Sequence, residues 1–200
     1  DLNEIGAAID ALTSSEPGLK SVTLLGLCDA ASAALLYVEA RPADTRVKGL
    51  VLMNPWVRSA QTLAETHVKH YYVDRLRQPE FWRKMLKGGV TWKAIPEFLK
   101  SLSLALRSNK AGAGTKQRGF QARMADAMAT TRASIWLVLS GQDYTAKEFI
   151  GAWEGDPSWR AAHARSGIRR LDLDAADHTF SSAAQRVRLE QWLIEELTGL

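Results

Sequence analysis

Four short apolar runs alternate with segments of helical periodicity along this chain. The runs are SVTLLGL (21–27), VKGLVLMNP (47–55), ASIWLVLSGQD (133–143) and GIRRLDLD (167–174). Their length and apolar content are typical of strands in a parallel sheet. Segments with helical patterns lie at 1–14, 29–40, 146–155 and 183–200. This alternation predicts an α/β architecture, with a mostly parallel sheet and helices on both of its faces.

A long helical segment separates the second predicted strand from the third. Residues 59–132 contain no strand-like run, and they mix aromatic and basic residues at helical spacings. We therefore predict a helical cap at 59–132, inserted into a core that is formed by residues 1–58 and 133–200.

Charge is distributed unevenly between the predicted core and the predicted cap. The whole chain has a net charge of +4, yet the stretch from His67 to Arg132 contains fourteen Lys and Arg against four Asp and Glu. Its local net charge is +10, and the remainder carries −6. Such a basic segment is either a solvated helical face or a surface for an anionic membrane, a polysaccharide or an acidic partner. Both interpretations stay open, and we expect no nucleic-acid partner.

The few cysteine and histidine residues exclude several kinds of site. One cysteine cannot form an internal disulfide, and four scattered histidines do not provide a metal-ligand cluster.

No run approaches the ~18–20 apolar residues that a membrane helix needs. The opening DLNEIGAAIDAL lacks the basic start and the continuous apolar stretch of a secretory signal. We expect a cytoplasmic protein without a bound metal.

The only cysteine follows the first predicted strand directly. The order of strand, Gly26-Leu27-Cys28-Asp29-Ala30 and helix is the layout of a nucleophile elbow, in which the nucleophile occupies a strained turn. The helix N-terminus would favour a thiolate at Cys28, and the backbone N–H of Asp29 would face a developing oxyanion. These five residues alone fit a buried structural cysteine equally well.

Two other residues near the turn are weaker candidates for the nucleophile, and two more are candidates for a substrate pocket. Ser32 lies one helical turn beyond Cys28, and Asp29 would require a shift of the motif by one residue. Leu27 ends the first predicted strand and Trp56 follows the second, so both lie beside the predicted site, where they would wall an acyl pocket. Trp56 has the alternative of packing the cap onto the sheet.

An acid and a base follow the third and fourth predicted strands. Asp143 ends the run SGQD, and His178 lies in the loop DAADHTF before the last helix. A cysteine nucleophile needs a base, and the base needs an acid that orients it. Active sites of parallel sheets lie at the carboxyl ends of the strands, so the order Cys28, Asp143, His178 predicts a catalytic triad at that edge.

These motifs resemble those of the α/β-hydrolase family, over essentially the whole chain except the predicted cap. More narrowly, GLCDAASAALL (26–36), NPWVR (54–58) and DHTFS (177–181) are similar to the hydrolases encoded alongside the exosortase A system of Gram-negative bacteria. That system is linked to exopolysaccharide production and protein sorting. The resemblance implies Cys28 as nucleophile, Asp143 as acid and His178 as base, with no cofactor.

The resemblance also implies that part of the family's fold has no counterpart in these residues. The family has several strands ahead of the nucleophile strand, and the loop after one of them supplies a second oxyanion-hole N–H. We therefore expect the chain to correspond to the C-terminal portion of the fold. The expected activity is hydrolysis of an ester, a thioester or a related acyl bond. The alternatives are an acyltransferase acting on a lipid- or polysaccharide-linked substrate, and a non-catalytic binding module.

Overall fold

The structure is a computed structural model that describes residues 1–57 and 119–198. Its helices are α1 (Leu2–Ser15), α2 (Asp29–Ala40), α3 (Phe120–Thr130), α4 (Tyr144–Gly155), α5 (Arg160–His163) and α6 (Ala183–Leu197). Its strands are β1 (Val22–Leu27), β2 (Val47–Met53), β3 (Ser134–Ser140) and β4 (Ile168–Leu173). A short 3-10 helix, Pro157–Trp159, precedes α5. Among the described residues, no helix is both long and apolar enough to cross a membrane.

The four strands form one sheet in the order β1-β2-β3-β4, and each neighbouring pair is parallel. Each strand lies within the apolar run that predicted it. All four strands therefore end at one edge of the sheet, and the loops that follow them begin there. This arrangement confirms the predicted α/β architecture with a parallel sheet.

Side chains alternate between two apolar layers, one on each face of the sheet. Leu50 and Leu52 of β2 belong to a layer that also contains buried residues of α2, α3 and α4. Val51 and Met53 belong to the opposite layer, which α6 covers with Leu189. Because successive side chains of a strand point to opposite faces, the continuous apolar run of β2 supplies both layers. Helices therefore cover both faces, as predicted.

Residues of Asp1–Val57 and Arg118–Leu200 belong to one compact unit, which contains the sheet. Helix α3 belongs to the unit that contains the sheet, although it lies inside the predicted cap of 59–132. The apolar residues Met124 and Met128 of α3 are fully buried in the apolar layer that contains Leu50 and Leu52, to which α2 also contributes. Arg123 of α3 also forms a bidentate ion pair with Glu39 of α2, with a closest approach of 2.6 Å. Residues 59–118 of the predicted cap lie outside the described residues.

Candidate active site

Cys28 occupies a strained turn between β1 and α2. Its φ of 61° is in the left-handed region, which non-glycine residues seldom adopt. The turn is also tight, because a Cβ added to Gly26 would lie 2.4 Å from the backbone carbon of Ala30. Only glycine fits at position 26, and alanine is accommodated at position 30, where the motif usually has a second glycine.

Hydrogen bonds tie this turn to the end of β2. The N–H of Cys28 donates to the carbonyl oxygen of Met53 at 2.9 Å, and the N–H of Trp56 donates to the carbonyl oxygen of Cys28 at 3.2 Å. The Ser32 hydroxyl donates to the Trp56 carbonyl oxygen at 2.6 Å and is 3.3 Å from the Cys28 carbonyl oxygen. Ser32 is buried and its hydroxyl is engaged by backbone oxygens, so its contacts are those of a structural residue. This position argues against Ser32 as the nucleophile.

Asp143 lies just beyond β3 and caps helix α4. Its carboxylate accepts hydrogen bonds from the N–H groups of Thr145 at 3.2 Å and Ala146 at 3.1 Å. Aspartate is favoured at this position because it satisfies N–H groups that a helix leaves unpaired. The same carboxylate lies 2.9 Å from Nδ1 of His178. The capping hydrogen bonds thus fix the position of the Asp143 carboxylate, and this carboxylate contacts the imidazole of His178.

The loop after β4 presents His178 through a turn closed by its neighbour Asp177. The Asp177 carboxylate accepts from the N–H of Thr179 at 3.2 Å, from the N–H of Ser181 at 2.9 Å and from the Ser181 hydroxyl. The hydrogen bond from that hydroxyl lowers the pKa of Asp177 below its ordinary value. Phe180 adopts a φ of 55° and is buried in the layer under α6. The loop is therefore anchored on both sides of the histidine.

A close approach of backbones joins the loops that carry the acid and the histidine. A Cβ added to Gly141 would lie 2.3 Å from the carbonyl oxygen of Asp174. The N–H of Gln142 donates to the Ala176 carbonyl oxygen at 3.0 Å. Since Gly141 precedes Asp143 by two residues and Asp174 precedes His178 by four, this contact brings the acid loop and the histidine loop together.

Asn54, which the sequence analysis did not single out, connects three parts of this edge. Its side-chain amide donates to the Ser140 hydroxyl at 2.9 Å and to the carbonyl oxygen of His178 at 3.1 Å. Its side-chain oxygen accepts from the N–H of Ser140 at 2.8 Å. Asn54 is fully buried, and its φ is 46°. The signal that could have found it is an asparagine directly after a buried strand, because asparagine tolerates the left-handed region.

Backbone strain is concentrated at this edge of the sheet. Within residues 1–57 and 119–198, the non-glycine residues with positive φ are Cys28, Asn54 and Phe180. They belong to the loops after β1, β2 and β4. Such conformations cost of order 1–3 kcal/mol each and cluster at functional sites. The distribution of strain therefore supports a functional site at the carboxyl ends of the strands.

The structure brings the predicted acid and base into direct contact and places the predicted nucleophile at the same edge. The Cys28 turn bonds to Met53, and the next residue, Asn54, bonds to His178. Because an ionised carboxylate only accepts hydrogen bonds, this contact assigns a hydrogen to Nδ1 of His178, and Nε2 of a neutral imidazole is then the proton acceptor. The catalytic roles of these residues stay predictions.

The other predicted site residues lie around the Cys28 turn. Asp29 is exposed as the first residue of α2, and its carboxylate accepts from the N–H of Ala30 at 2.9 Å. Leu27 is half-buried beside the layer under α6. Trp56 is half-buried and stacks on Phe120 of α3, with the ring centroids 5.6 Å apart. The role of Leu27 and Trp56 in a substrate pocket stays a prediction.

No protein-family model and no curated protein matches this sequence. Among solved structures, the chain is similar to a serine-to-alanine mutant of the meta-cleavage product hydrolase from Pseudomonas fluorescens, complexed with acetates. The identity is 13%, the TM-score is 0.50, and the match covers 99% of this chain and 70% of that one. The chain has the α/β-hydrolase fold.

Two further solved structures match with lower scores. One is a candidate non-heme bromoperoxidase from Mycobacterium tuberculosis, with 14% identity, a TM-score of 0.48 and coverage of 96% of this chain and 70% of that one. The other is a thioesterase domain from the curacin biosynthetic pathway, with 15% identity, a TM-score of 0.44 and coverage of 94% and 71%. The role of the Asp29 N–H in an oxyanion hole stays a prediction.

Proposed function

We propose that this chain is a hydrolase that cleaves an ester, thioester or related acyl bond with Cys28 as its nucleophile. The observation that carries the proposal is the Asp143–His178 hydrogen bond of 2.9 Å, at the edge of the sheet where Cys28 is held at a φ of 61°. An acid, a base and a thiol in the chain order of an α/β-hydrolase are the parts that nucleophilic acyl chemistry requires.

The proposed reaction proceeds through an acyl-enzyme, in which the acyl group is held as a thioester on Cys28. Nε2 of His178 takes the thiol proton while the Cys28 sulfur forms a bond to the acyl carbon, and the carbonyl oxygen becomes an oxyanion. The N–H of Asp29 lies at the start of α2, where it can donate to that oxygen. The intermediate collapses, the bond to the leaving alcohol or thiol breaks, and the imidazolium protonates the leaving group. Water, deprotonated by the same imidazole, then attacks the acyl carbon; the carbon–sulfur bond breaks, the acid is released, and the imidazolium returns the proton to the Cys28 sulfur.

Acyl transfer is a second candidate, which a sulfur nucleophile favours. A thioester acyl-enzyme transfers its acyl group to an amine or a thiol more readily than an oxygen ester does. If an added amine or thiol acceptor is acylated faster than water releases the acid, the chain is an acyltransferase. If product forms at the same rate with and without acceptor, hydrolysis is the reaction.

The narrower resemblance of the GLCDAASAALL, NPWVR and DHTFS segments supports a link to exopolysaccharide production or protein sorting. The proposed substrate class is then an acyl group carried by a lipid or a polysaccharide. In a bacterium that encodes this chain, Cys28→Ala should reduce exopolysaccharide export or the sorting of exported proteins. If Cys28→Ala leaves export and sorting unchanged, the proposed link to the exosortase system is wrong. That result would not test the acyl chemistry, which the alkylation experiment addresses.

The test of the triad is the alkylation of Cys28 by iodoacetamide between about pH 6 and pH 9, a range that spans the ordinary thiol pKa of about 8.5. At about pH 6.5 an ordinary thiol is only ~1% thiolate, and this small fraction limits its alkylation rate. A triad cysteine should be alkylated at least about tenfold faster than an ordinary thiol at the same pH. We expect His178→Ala to remove most of this advantage. Asp143→Asn should remove part of it, because the imidazole loses its orienting partner.

His163→Ala is the matched control for loss of a histidine. His163 ends helix α5 and contacts the Trp153 carbonyl oxygen at 2.8 Å, so it is part of a different cluster. Cys28 in this variant should react as it does in the original chain. Equal alkylation rates in the original chain and in folded His178→Ala across the pH range would make Cys28 a packing residue and refute the proposed function.

A further inference from the structure

We propose that Asn54 is a positioning residue that holds the backbone of His178 so that its imidazole meets Asp143 on one side and Cys28 on the other. This inference deepens the proposed function and rests on it for the part that concerns Cys28. The observation behind it is the hydrogen bond of 3.1 Å from the Asn54 amide to the carbonyl oxygen of His178.

The Asn54 side chain uses its donors and its acceptor on two segments that are distant in the sequence. One amide proton is directed to the Ser140 hydroxyl and the other to His178, while the side-chain oxygen accepts from the Ser140 N–H. The backbone N–H of Asn54 donates to the Val138 carbonyl oxygen at 2.9 Å. Asn54 thus connects the end of β3 to the histidine loop through one fully buried side chain.

Asparagine meets requirements here that its close relatives do not meet. The φ of 46° favours glycine or asparagine, but glycine has no side chain to hydrogen-bond. Aspartate has the same shape and the same acceptor oxygen, but it cannot donate to the His178 carbonyl oxygen when it is ionised. The arrangement therefore depends on an amide at this position.

Packing holds the imidazole only in part, so the hydrogen bonds of the loop contribute to its position. The His178 side chain is 38% exposed, whereas the Asp143 side chain is 9% exposed. The hydrogen bonds of Asp177 are internal to the histidine loop. The Gln142 bond to Ala176 ties the start of that loop to the acid loop, and the Asn54 bond ties the His178 carbonyl oxygen itself to the end of β2. Met53, the residue before Asn54, accepts the N–H of Cys28. One short segment at the end of β2 thereby bonds both to the Cys28 turn and to the backbone of His178.

The experiment compares Asn54→Asp and Asn54→Gly with Ser140→Ala in the full chain. Asn54→Asp keeps the shape and loses the donors, and Asn54→Gly loses the side chain but relaxes the strained φ. Ser140→Ala is the matched control, because it removes the Asn54–Ser140 side-chain bond and leaves the bond from Asn54 to His178. The first readout is the NMR signal of the His178 Nδ1 proton in ¹⁵N-histidine-labelled protein, assigned by its loss in His178→Ala.

We expect the Nδ1 proton signal to persist in Ser140→Ala and to broaden or disappear in both Asn54 variants. The second readout is alkylation of Cys28 at about pH 6.5, where loss of the aligned imidazole should slow the reaction about tenfold in the Asn54 variants alone. A folding measurement by circular dichroism and urea unfolding accompanies each variant. Loss of the signal only together with loss of the fold would make Asn54 a stability determinant and overturn the proposal.

Two results separate this inference from the proposed function. A Nδ1 signal that persists in folded Asn54 variants, or that is lost equally in Ser140→Ala, overturns the positioning role whatever Cys28 does. If His178→Ala leaves Cys28 alkylation unchanged while the Asn54 variants still lose the Nδ1 signal, the proposed function fails and Asn54 keeps its role in placing His178.

Discussion

At the scale of single residues, the turn after β1 requires the absence of a side chain at position 26. Gly26→Ala would place a Cβ 2.4 Å from the Ala30 backbone carbon and 2.5 Å from the Ala31 nitrogen. Backbone atoms cannot move aside as a flexible side chain can, so the turn or α2 must shift. We expect Gly26→Ala to lower the free energy of unfolding by about 1–3 kcal/mol, measured by urea denaturation.

Gly151→Ala is the matched control for this substitution. Gly151 lies within helix α4, and a Cβ there would meet no atom within 4 Å apart from the neighbouring backbone of its own helix. Alanine is a better helix former than glycine, so this variant should be more stable by about 0.5–1 kcal/mol. If Gly26→Ala were as stable as the original chain, the close approach of β1 and α2 would not be a constraint on the turn.

The site residues differed in how visible they were in the sequence. Cys28, Asp143 and His178 could be selected because each has reactive chemistry and each directly follows a strand or lies in the loop after one. Asn54 also follows a strand, but its partners Ser140 and His178 are 86 and 124 residues away. Its importance comes from contacts that only the folded chain creates. No local pattern in the sequence specifies which distant donors and acceptors an amide will meet.

At the scale of elements, local sequence patterns predicted each strand and helix. They did not indicate which other element a helix packs against. The spacing of apolar residues in α3 indicated a helix within 59–132, yet it could not indicate which surface the helix covers. The structure packs α3 against α2, where Arg123 pairs with Glu39, whereas the sequence alone suggested a cap. A period of 3.6 residues identifies an apolar face and leaves its partner undetermined.

An ion-pair network links α1, α2 and the start of β2, and it allows a prediction on stability. Asp44 accepts from the Arg46 guanidinium at 2.9 Å and from the Tyr37 hydroxyl at 2.7 Å. The side chain of Asp44 is only 11% exposed. We expect Asp44→Asn to lower the free energy of unfolding at neutral pH by about 1.5–3 kcal/mol, because it weakens hydrogen bonds to a charged group.

The pH dependence of this effect follows from the Arg46 hydrogen bonds, which hold the pKa of Asp44 well below its ordinary value of 3.8. The stabilisation is complete above the unfolded-state pKa of about 3.9 and is lost as the pH falls below it and through the folded-state pKa. The stability difference between the original chain and Asp44→Asn should therefore shrink in acid.

Asp10→Asn is the control for the loss of an ionised partner of Arg46. Asp10 pairs with Arg46 at 2.7 Å, but its side chain is 66% exposed. An exposed pair of this kind contributes less than about 1 kcal/mol, so the control should be close to the original chain. An Asp44→Asn effect no larger than that of Asp10→Asn, or one that is independent of pH, would contradict a structural role for the ionised carboxylate.

At the scale of the whole molecule, the parallel sheet places the candidate site and the Asp44–Arg46 network at opposite edges. The loops at the carboxyl ends of the strands contain the Asp143–His178 pair and the strained residues, among them Cys28. The opposite edge holds the Asp44–Arg46 network at the start of β2. Because parallel strands all end on one side, residues from four distant parts of the chain meet there. The order of the elements in the sequence was therefore sufficient to predict that Cys28, Asp143 and His178 lie at the same edge of the sheet.

The uneven charge along the chain leads to a prediction for anionic surfaces. The stretch from His67 to Arg132 has a net charge of +10, and the rest of the chain has −6. If the basic stretch is a binding surface, the protein should bind phosphatidylserine vesicles at low salt. Binding should weaken as salt is added, because exposed charges are screened within about 8 Å at physiological ionic strength. Co-sedimentation with vesicles over a range of salt concentrations measures this.

Two triple variants of equal charge change show whether the effect belongs to the basic stretch. Arg83→Gln, Lys84→Gln and Lys87→Gln together remove three charges from it, and Lys20→Gln, Lys48→Gln and Arg188→Gln remove three from exposed positions elsewhere. Each basic residue near an anionic membrane contributes about 1 kcal/mol, so the first variant should bind vesicles about 100-fold more weakly and the second far less so. Equal weakening in the two variants would indicate a response to net charge alone, and no binding at low salt would favour a solvated face.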